Sequence, residues 1–303
     1  MRLKIRRPKT VLAVLCLVAL PIVLFVINGT LLSYGQRPLL GTTTHAAAPL
    51  ADEAAPVIVK VLSYNIAKGF VHQGGLCFAD RQVVAARMER IAALINAEQP
   101  DMVFLSEAVL ECGPCPVNQV TMLAQATGMH AWAFGENFNI GVPGYRMVGG
   151  NAIFSRWPLE AVGNPSLAGR RPFYITRNNR RLLWCAVHLA GRWVLLASVH
   201  NDSFNPANNL IQTRELLDFA PHEEALIAGD FNAQPHEPSM TLLRDSGRFA
   251  GMFDGALTFP SDEPRQRIDF ILAPARWELL EDRVLDSDAS DHRPVVAVFR
   301  IPP

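Results

Sequence analysis

From Val57 to Pro303 the chain repeats one pattern: a short β-rich apolar run, then a polar residue where the run stops. The runs lie at 57–64 (VIVKVLSY), 102–105 (MVFL), 152–155, 182–187, 193–199 (WVLLASV), 225–228, 268–272 (IDFIL) and 294–299 (PVVAVF). Between them, helical spacing is clearest at 80–97, where Val84, Met88, Ile91, Leu94 and Ile95 make one apolar stripe. Asp80 fits an N-cap there and Pro100 a stop. Weaker helical patterns occupy 116–127, 207–219 and 237–245. Strands dominate with helices interspersed, which predicts two packed sheets with helices outside. Neither a second linker nor an internal repeat interrupts 57–303, so these 247 residues read as one domain.

Half of the 303 residues are hydrophobic and 18% are charged, which excludes a disordered or fibrous chain. The 28 basic residues balance the 28 acidic ones, so no global basic field points to nucleic acid. The balance is uneven along the chain. Arg2, Lys4, Arg6, Arg7, Lys9 and Arg37 face only Asp52 and Glu53 within the first 56 residues, and the rest is mildly acidic.

Residues 1–10 read as a basic cytoplasmic end, 11–28 as a transmembrane signal-anchor and 29–56 as a flexible tether. The uncharged run 11–27 (VLAVLCLVALPIVLFVI) is near the minimum for crossing a bilayer. Five positive charges precede it, which leaves the N-terminus inside and exports the body. The location read from this is a single-pass cell-membrane protein with its domain extracytoplasmic. A cleaved signal peptide is the rival reading. Ala46–Ala48 is a poor cutting site, far beyond the apolar run and followed by Pro49.

The chemistry sits where the β-runs stop. Asn65 follows VLSY and Glu107 follows MVFLS. His200, Asn201 and Asp202 follow WVLLASV, and Asp230, Phe231 and Asn232 follow ALIAG. Asp269 sits inside RIDFIL, and Ser290, Asp291 and His292 precede the last run. If all meet at one rim, the last strand runs opposite to the others and the sheets are mixed. Residues two apart on extended chain share a face, so Asp230 can align with Asn232, and His200 with Asp202. Glu107, Asp230 and Asp291 are hard oxygen donors, with Asn65 and Asn232 as neutral ones. Such a set suits Mg²⁺, or Mn²⁺, completed by water and phosphate. His292 with Asp269 forms a candidate acid–base pair. Singly, each of these residues is an ordinary loop or turn residue; their ordered combination carries the reading.

LSYN, FLSE, GNAIFSR, the histidine after a β-run, AGDFN, RIDFIL and SDHRPV occur in the order found in the endonuclease/exonuclease/phosphatase superfamily. The chain resembles that group, with its deoxyribonuclease I-like fold, over essentially all of 57–303. The resemblance implies an α+β, four-layer α/β sandwich of two mixed sheets flanked by helices. It also implies a Mg²⁺-dependent phosphoesterase. Glu107 is then the principal metal ligand, helped by Asn65, with Asp291 ligating directly or through water. Asp230 orients the attacking water, and Asn232 contacts the phosphate. His200 donates to a phosphate oxygen, and His292, positioned by Asp269, is the catalytic histidine. Asn151 is a further substrate-binding candidate. Two departures are visible: Val199 stands before His200 where Thr is common, and Ser106 precedes Glu107 where Gln is common.

The expected substrate is a small-molecule phosphoester or a lipid headgroup rather than DNA, and no protein partner is evident. An extracytoplasmic deoxyribonuclease and a non-catalytic binding module are the alternatives. Arg170, Arg171, Arg177, Arg180 and Arg181 form a basic cluster that reads equally as a solvated hairpin or a headgroup-contact loop. Cys112-Gly-Pro-Cys115 matches a redox motif, but pairing of either cysteine with Cys77 fits an oxidising compartment better. Cys185 reads as a buried thiol, and His188 and Trp193 as hairpin residues. The glycine-rich stretch 135–149 reads as a surface loop or a lid over substrate.

Overall fold

The computed structural model describes residues 8–49, 56–70, 79–169, 180–219 and 224–303. Among these residues an apolar helix, α1 (Pro8–Thr30), precedes thirteen strands and four further α-helices. Strands β1 (Leu39–Thr42), β2 (Val57–Asn65), β3 (Met102–Cys112), β4 (Ala131–Val142), β5 (Tyr145–Ser155), β12 (Glu278–Val284) and β13 (Val295–Ile301) form one sheet. Its order is β1-β4-β5-β3-β2-β13-β12. The second sheet holds β6 (Leu159–Gly163), β7 (Leu183–Leu189), β8 (Arg192–His200), β9 (Ala225–Asp230), β10 (Phe249–Ala250) and β11 (Asp269–Pro274), in the order β10-β11-β9-β8-β7-β6. The pairs β2–β3 and β8–β9 are parallel and the rest antiparallel, so both sheets are mixed. Helix α2 (Arg81–Glu98) bridges β2 to β3, and α4 (Pro206–Phe219) bridges β8 to β9.

Alternation along the strands builds three apolar layers. Leu62 and Tyr64 of β2, with Val103 and Leu105 of β3, face Val84, Met88, Ile91 and Ile95 of α2. Helix α3 (Gln119–Ala126) joins that layer through Val120 and Leu123. The intervening residues, Val59, Val61, Met102 and Phe104, face inward onto Leu183, Cys185, Leu196, Leu226 and Ile271 of the second sheet. The outer face of that sheet packs Ala197, Val199, Ile227 and Phe270 against Leu216 of α4 and Met240 and Leu243 of α5 (Pro238–Asp245). The sandwich is therefore helix, sheet, sheet, helix. Asp80 caps α2 as predicted, its carboxylate accepting from the Gln82 amide at 2.7 Å. Gln99, in a left-handed conformation, ends the helix before Pro100.

Two expectations are corrected. The stretch 135–149 is neither a surface loop nor a lid but most of the β4–β5 hairpin. Gly135 and Gly149 serve close packing rather than flexibility: a Cβ on Gly149 would meet the Phe138 ring at 2.4 Å, and one on Gly135 the Asn164 side chain at 2.5 Å. The stretch 29–56 is not a free tether over its described part, 29–49. β1 pairs with the outer edge of β4. The buried Glu136 carboxylate accepts from the Ser33 hydroxyl and from the Tyr34 amide, the latter at 3.0 Å. Asn28, fully buried, donates to Asn139 Oδ1 at 2.8 Å and to the Gly141 carbonyl at 3.1 Å. A Gly-, Thr- and Ala-rich composition suggests a loose chain, but an open sheet edge offers its backbone a full set of partners. Among the described residues, Leu12–Thr30 is the one helix long and apolar enough to cross a membrane, and it lies mostly outside the domain.

Candidate active site

Strand register gathers the chemistry at one rim. His200, Asp230 and Asp269 are direct partners across β8, β9 and β11. On the other sheet, Asn65 ends β2 opposite Ser106 of β3. Glu107 occupies a slip in the β3–β5 register with φ 58°, and such a bulge re-aims its side chain. The Ser106 hydroxyl turns the other way and donates to the Val199 carbonyl at 3.1 Å, joining the two sheets. The Ser198 hydroxyl returns the bond to the Leu105 carbonyl at 3.3 Å. Gly229, at φ 143°, lets β8 and β9 close directly beneath the rim, since a Cβ there would meet the Val199 carbonyl oxygen at 2.0 Å.

The predicted acid–base pair is formed: His292 Nδ1 lies 2.9 Å from Asp269 Oδ2, and both side chains are buried. His292 Nε2 faces Asp230 Oδ2 at 3.7 Å, and His200 Nε2 approaches the same oxygen at 3.7 Å from the other side. Asn65 Nδ2 donates to that oxygen at 3.0 Å, while the Asn232 amide donates to Asp230 Oδ1 at 2.9 Å. His200 Nε2 also stands 3.6 Å from Glu107 Oε1. The Ser290 hydroxyl donates to the Asn65 carbonyl at 2.7 Å and lies 3.2 Å from Asp291 Oδ1.

Electrostatics push the two histidines apart. Burial alone would lower His292, but Asp269, Asp230 and Asp291 outweigh it and raise its pKa to about 9. His200 is held well below the ordinary range by burial and by the charges of Arg180 and Lys68. Arg180 Nη1 lies 3.4 Å from His200 Nδ1, which places the neutral proton on Nε2, toward the carboxylates. Asp230 is raised to about 6, chiefly by burial, with the His292 charge opposing and Asp269 adding to the rise. One charged and one neutral imidazole thus flank one buried carboxylate, an arrangement that separates acid and base roles.

Two contributors escape sequence reasoning. Lys68 forms an ion pair with Glu107 from a left-handed turn in which the Ala67 amide donates to Asn65 Oδ1 at 3.0 Å. Burial lowers its pKa to about 8; Arg180 adds to that and Asp291 opposes it. The available signal was its place three residues after Asn65. Phe259 packs its ring 4.7 Å from that of His292, across a turn no motif marks.

Other expectations separate. Asn151, expected at the substrate, is tied between the two sheets. It is fully buried and donates to the Ser198 carbonyl at 3.0 Å while accepting from Asn137, so it joins the sheets. Asn232 reaches the rim, though its Nδ2 donates to the Asn201 carbonyl at 3.0 Å. Asp202 is instead engaged in the loop before α4, accepting from the Phe204 amide at 2.8 Å and from Asn208 Nδ2 at 2.7 Å, while Asn205 accepts from the first amides of the helix. Within the basic cluster, Arg180 reaches the site, whereas Arg181 is buried against the Gly35 and Asn164 carbonyls. Arg170, Arg171 and Arg177 lie outside the described residues, as does Cys77 and with it the expected pairing. Cys112 and Cys115 are free, buried thiols with pKa values raised mainly by burial, at a strand end rather than a helix start. That environment opposes a redox role. Cys185 is buried with its pKa raised to about 12, and His188 and Trp193 pair edge to face across the β7–β8 turn.

Donor chemistry fits a hard divalent cation. Among the described residues, Asp230, Asp269 and His292 present ligand atoms within 4.8 Å of one another, but Asp269 and His292 are committed to each other. Glu107 already gathers a positive charge, the Lys68 ammonium, on which Asp291 also acts. The carboxylates of Glu107 and Asp291 and the amide of Asn65 are oxygen donors of the type Mg²⁺ selects.

Among solved structures, the fold is similar to an endonuclease/exonuclease/phosphatase from Beutenbergia cavernae DSM 12333 (TM-score 0.60, 22% identity, covering 80% of this chain and 72% of that one). It is also similar to an endonuclease/exonuclease/phosphatase family protein from Bacteroides thetaiotaomicron (TM-score 0.60, 15% identity, 82% and 100%). A third is the mannosyl-6-phosphatase Bt3783 from Bacteroides thetaiotaomicron VPI-5482 (TM-score 0.55, 15% identity, 80% and 100%). A comparison with curated proteins finds no match. The model of the Endonuclease/Exonuclease/phosphatase family matches residues 62–292, from the end of β2 through His292. Enzymes of that family generally hydrolyse phosphoester bonds and typically depend on a divalent metal. With the rim and four-layer fold in agreement, the chain belongs to the Endonuclease/Exonuclease/phosphatase family.

Proposed function

We propose that this chain is a membrane-anchored, extracytoplasmic phosphoesterase that hydrolyses a phosphodiester or phosphomonoester with Mg²⁺ or Mn²⁺. The observation that carries the reading is geometric: the Asp269–His292 pair, His200, Asn65 and Glu107 converge at one rim, with both histidines 3.7 Å from Asp230 and His200 3.6 Å from Glu107. Glu107, Asn65 and Asp291 would hold the metal, which supplies neutralisation of charge developing on phosphoryl oxygens. Asp230, ionised above about pH 6, orients the attacking water and accepts its proton. His292, protonated through neutral pH, donates from Nε2 to the phosphoryl group, so it acts as a cationic donor rather than as the base toward water. Neutral His200 donates a hydrogen bond from Nε2, and Asn232 borders the same space. The docking of Asn28 onto Asn139 and Gly141 supports a retained anchor over a cleaved signal, and the five leading positive charges support an inward N-terminus. A mildly acidic domain favours a small phosphoester or lipid headgroup over duplex DNA.

The test is hydrolysis by the full chain with Mg²⁺, Mn²⁺ or EDTA, beside His292→Ala and Glu107→Ala. Bis-p-nitrophenyl phosphate, p-nitrophenyl phosphate, sphingomyelin and plasmid DNA form the panel. Metal-dependent turnover lost in both variants is the expected outcome. Turnover that persists in EDTA or survives His292→Ala overturns the mechanism, and a preference for plasmid DNA replaces the substrate class.

A further inference from the structure

The strands that carry the site also carry the anchor contact, and at the same end. Val148 of β5 pairs with Glu111 of β3 on one side and Asn139 of β4 on the other. Glu111 lies four residues past Glu107, so Asn139 stands about 13 Å beyond the catalytic rim along the strand direction. Asn28, in the last turn of α1, is fixed at that level by its bonds to Asn139 and Gly141. The chain leaving α1 is fixed there too: Arg146, ion-paired with Glu111, donates to the Leu32 carbonyl at 2.9 Å. From Leu12 to Val23 the helix is exposed, so it leaves the domain at this tip rather than lying along its flank.

A second, independent feature marks the same end. Phe204 is 92% exposed, the most exposed of the large apolar side chains among the described residues, and it stands four residues past His200 on the loop that leaves the rim. Leu31 is 78% exposed immediately after α1, and Tyr145, 59% exposed, opens β5 at the hairpin tip. Aromatic and aliphatic side chains presented around one end of a domain, beside a helix able to span a bilayer, match the composition of a membrane–water boundary.

We propose that α1 holds the catalytic rim against the bilayer surface, and that the substrate is a phosphoester borne by a lipid that stays in the membrane. This rests on the phosphoesterase reading above. Water-soluble esters reach such a site only by diffusing between protein and membrane, whereas lipid headgroups are delivered to it laterally at high local concentration.

The experiment uses the full chain in phosphatidylcholine vesicles containing sphingomyelin or phosphatidic acid. A fluorophore is placed at Phe204→Cys or, at the opposite end of β8, at Trp193→Cys, with Cys16 and Cys77 replaced by serine. Shallow spin-labelled lipids should quench the label at 204 and leave that at 193 bright. Equal quenching at the two positions overturns the orientation, whatever the enzyme does. In parallel, Phe204→Ser should raise KM for vesicle lipid by about tenfold while leaving turnover of bis-p-nitrophenyl phosphate unchanged. Active protein that prefers the soluble ester, or a Phe204→Ser variant that handles vesicle lipid as the parent does, overturns the lipid assignment. A parent protein inert toward every ester, yet correctly quenched, overturns the phosphoesterase reading and with it the substrate, but not the orientation.

Discussion

Asp269→Asn should uncouple His292 from its charge. The 2.9 Å contact between Asp269 Oδ2 and His292 Nδ1 is the shortest tie on a ring whose pKa stands at about 9 against an ordinary 6.5, and Asp269 is the largest influence raising it. At 1.36 kcal/mol per pKa unit, that elevation corresponds to on the order of 3 kcal/mol favouring the charged ring in the folded protein. With the carboxylate replaced by an amide, burial acts against only Asp230 and Asp291, and the ring should titrate at or below its ordinary value. A raised folded-state pKa gives stability that is complete below the unfolded value of about 6.5 and lost as pH rises through about 9. Relative to Asp269→Asn, the parent protein should therefore lose roughly 3 kcal/mol more unfolding free energy over that window. Asp230, raised to about 6, changes stability only below the window, and Lys68, lowered to about 8, adds stability near its upper end in parent and variant alike, so the difference between the two proteins is the quantity read. Imidazole NMR titration of metal-free protein, assigned with His292→Gln, gives the pKa directly, and urea midpoints at pH 6.5 and 9 give the stability. A His292 that still titrates near 9 in Asp269→Asn would refute the reasoning.

Three further outcomes follow from the geometry. Glu107→Gln should weaken Mg²⁺ binding by about 100-fold or more in isothermal titration, since even outer partners of a metal ligand contribute nearly that much; unchanged affinity removes Glu107 from the metal set. Asp282→Ala should destabilise by about 3–5 kcal/mol in urea unfolding, because it strands the Arg267 guanidinium, 1% exposed and held by Asp282 at 3.0 Å; a change near zero contradicts the buried pair. Gly229→Ala should cost about 3 kcal/mol or more and lower turnover with it, because β8 and β9 must part beside His200 and Asp230; a stable, fully active variant contradicts the close approach.

What could be read in advance divides by the range of the signal. The strands β2, β3, β8, β9 and β13 and the helix α2 announce themselves because their burial pattern is written into adjacent residues. Glu107, Asp230, Asp269, His200 and His292 are legible because each stands where an apolar run changes character. β4 is not legible: its Glu136, Asn137 and Asn139 look solvated, and only distant partners, Ser33, Asn151 and Asn28, allow their burial. β1 depends likewise on the open edge of β4, and β12 is an edge strand with charges at Glu278, Glu281, Asp282 and Arg283. The direction of Asn151 is not legible, because direction across a sheet sandwich is fixed by the facing sheet. Lys68 has only a weak local signal, its place three residues after Asn65, because the partner that gives it a role lies 39 residues away.

Because the rim is divided between two sheets, its dimensions are not set by either. Asn65, Glu107 and His292 hang from one sheet, and His200, Asp230 and Asp269 from the other. The gap between them is the thickness of the middle layer, where Phe104 and Ile153 meet Leu196, Leu226 and Ile271. That layer works as a gauge block for the reaction. An added methylene there is a shim whose energetic cost is about 1–3 kcal/mol, tolerable for a domain of this size. A shift approaching 1 Å between reacting groups can nonetheless cost about 100-fold in rate. Drift in these apolar positions is accordingly arrested by lost turnover before it is arrested by unfolding. Residues that touch no substrate thereby come under the same selection as those that do.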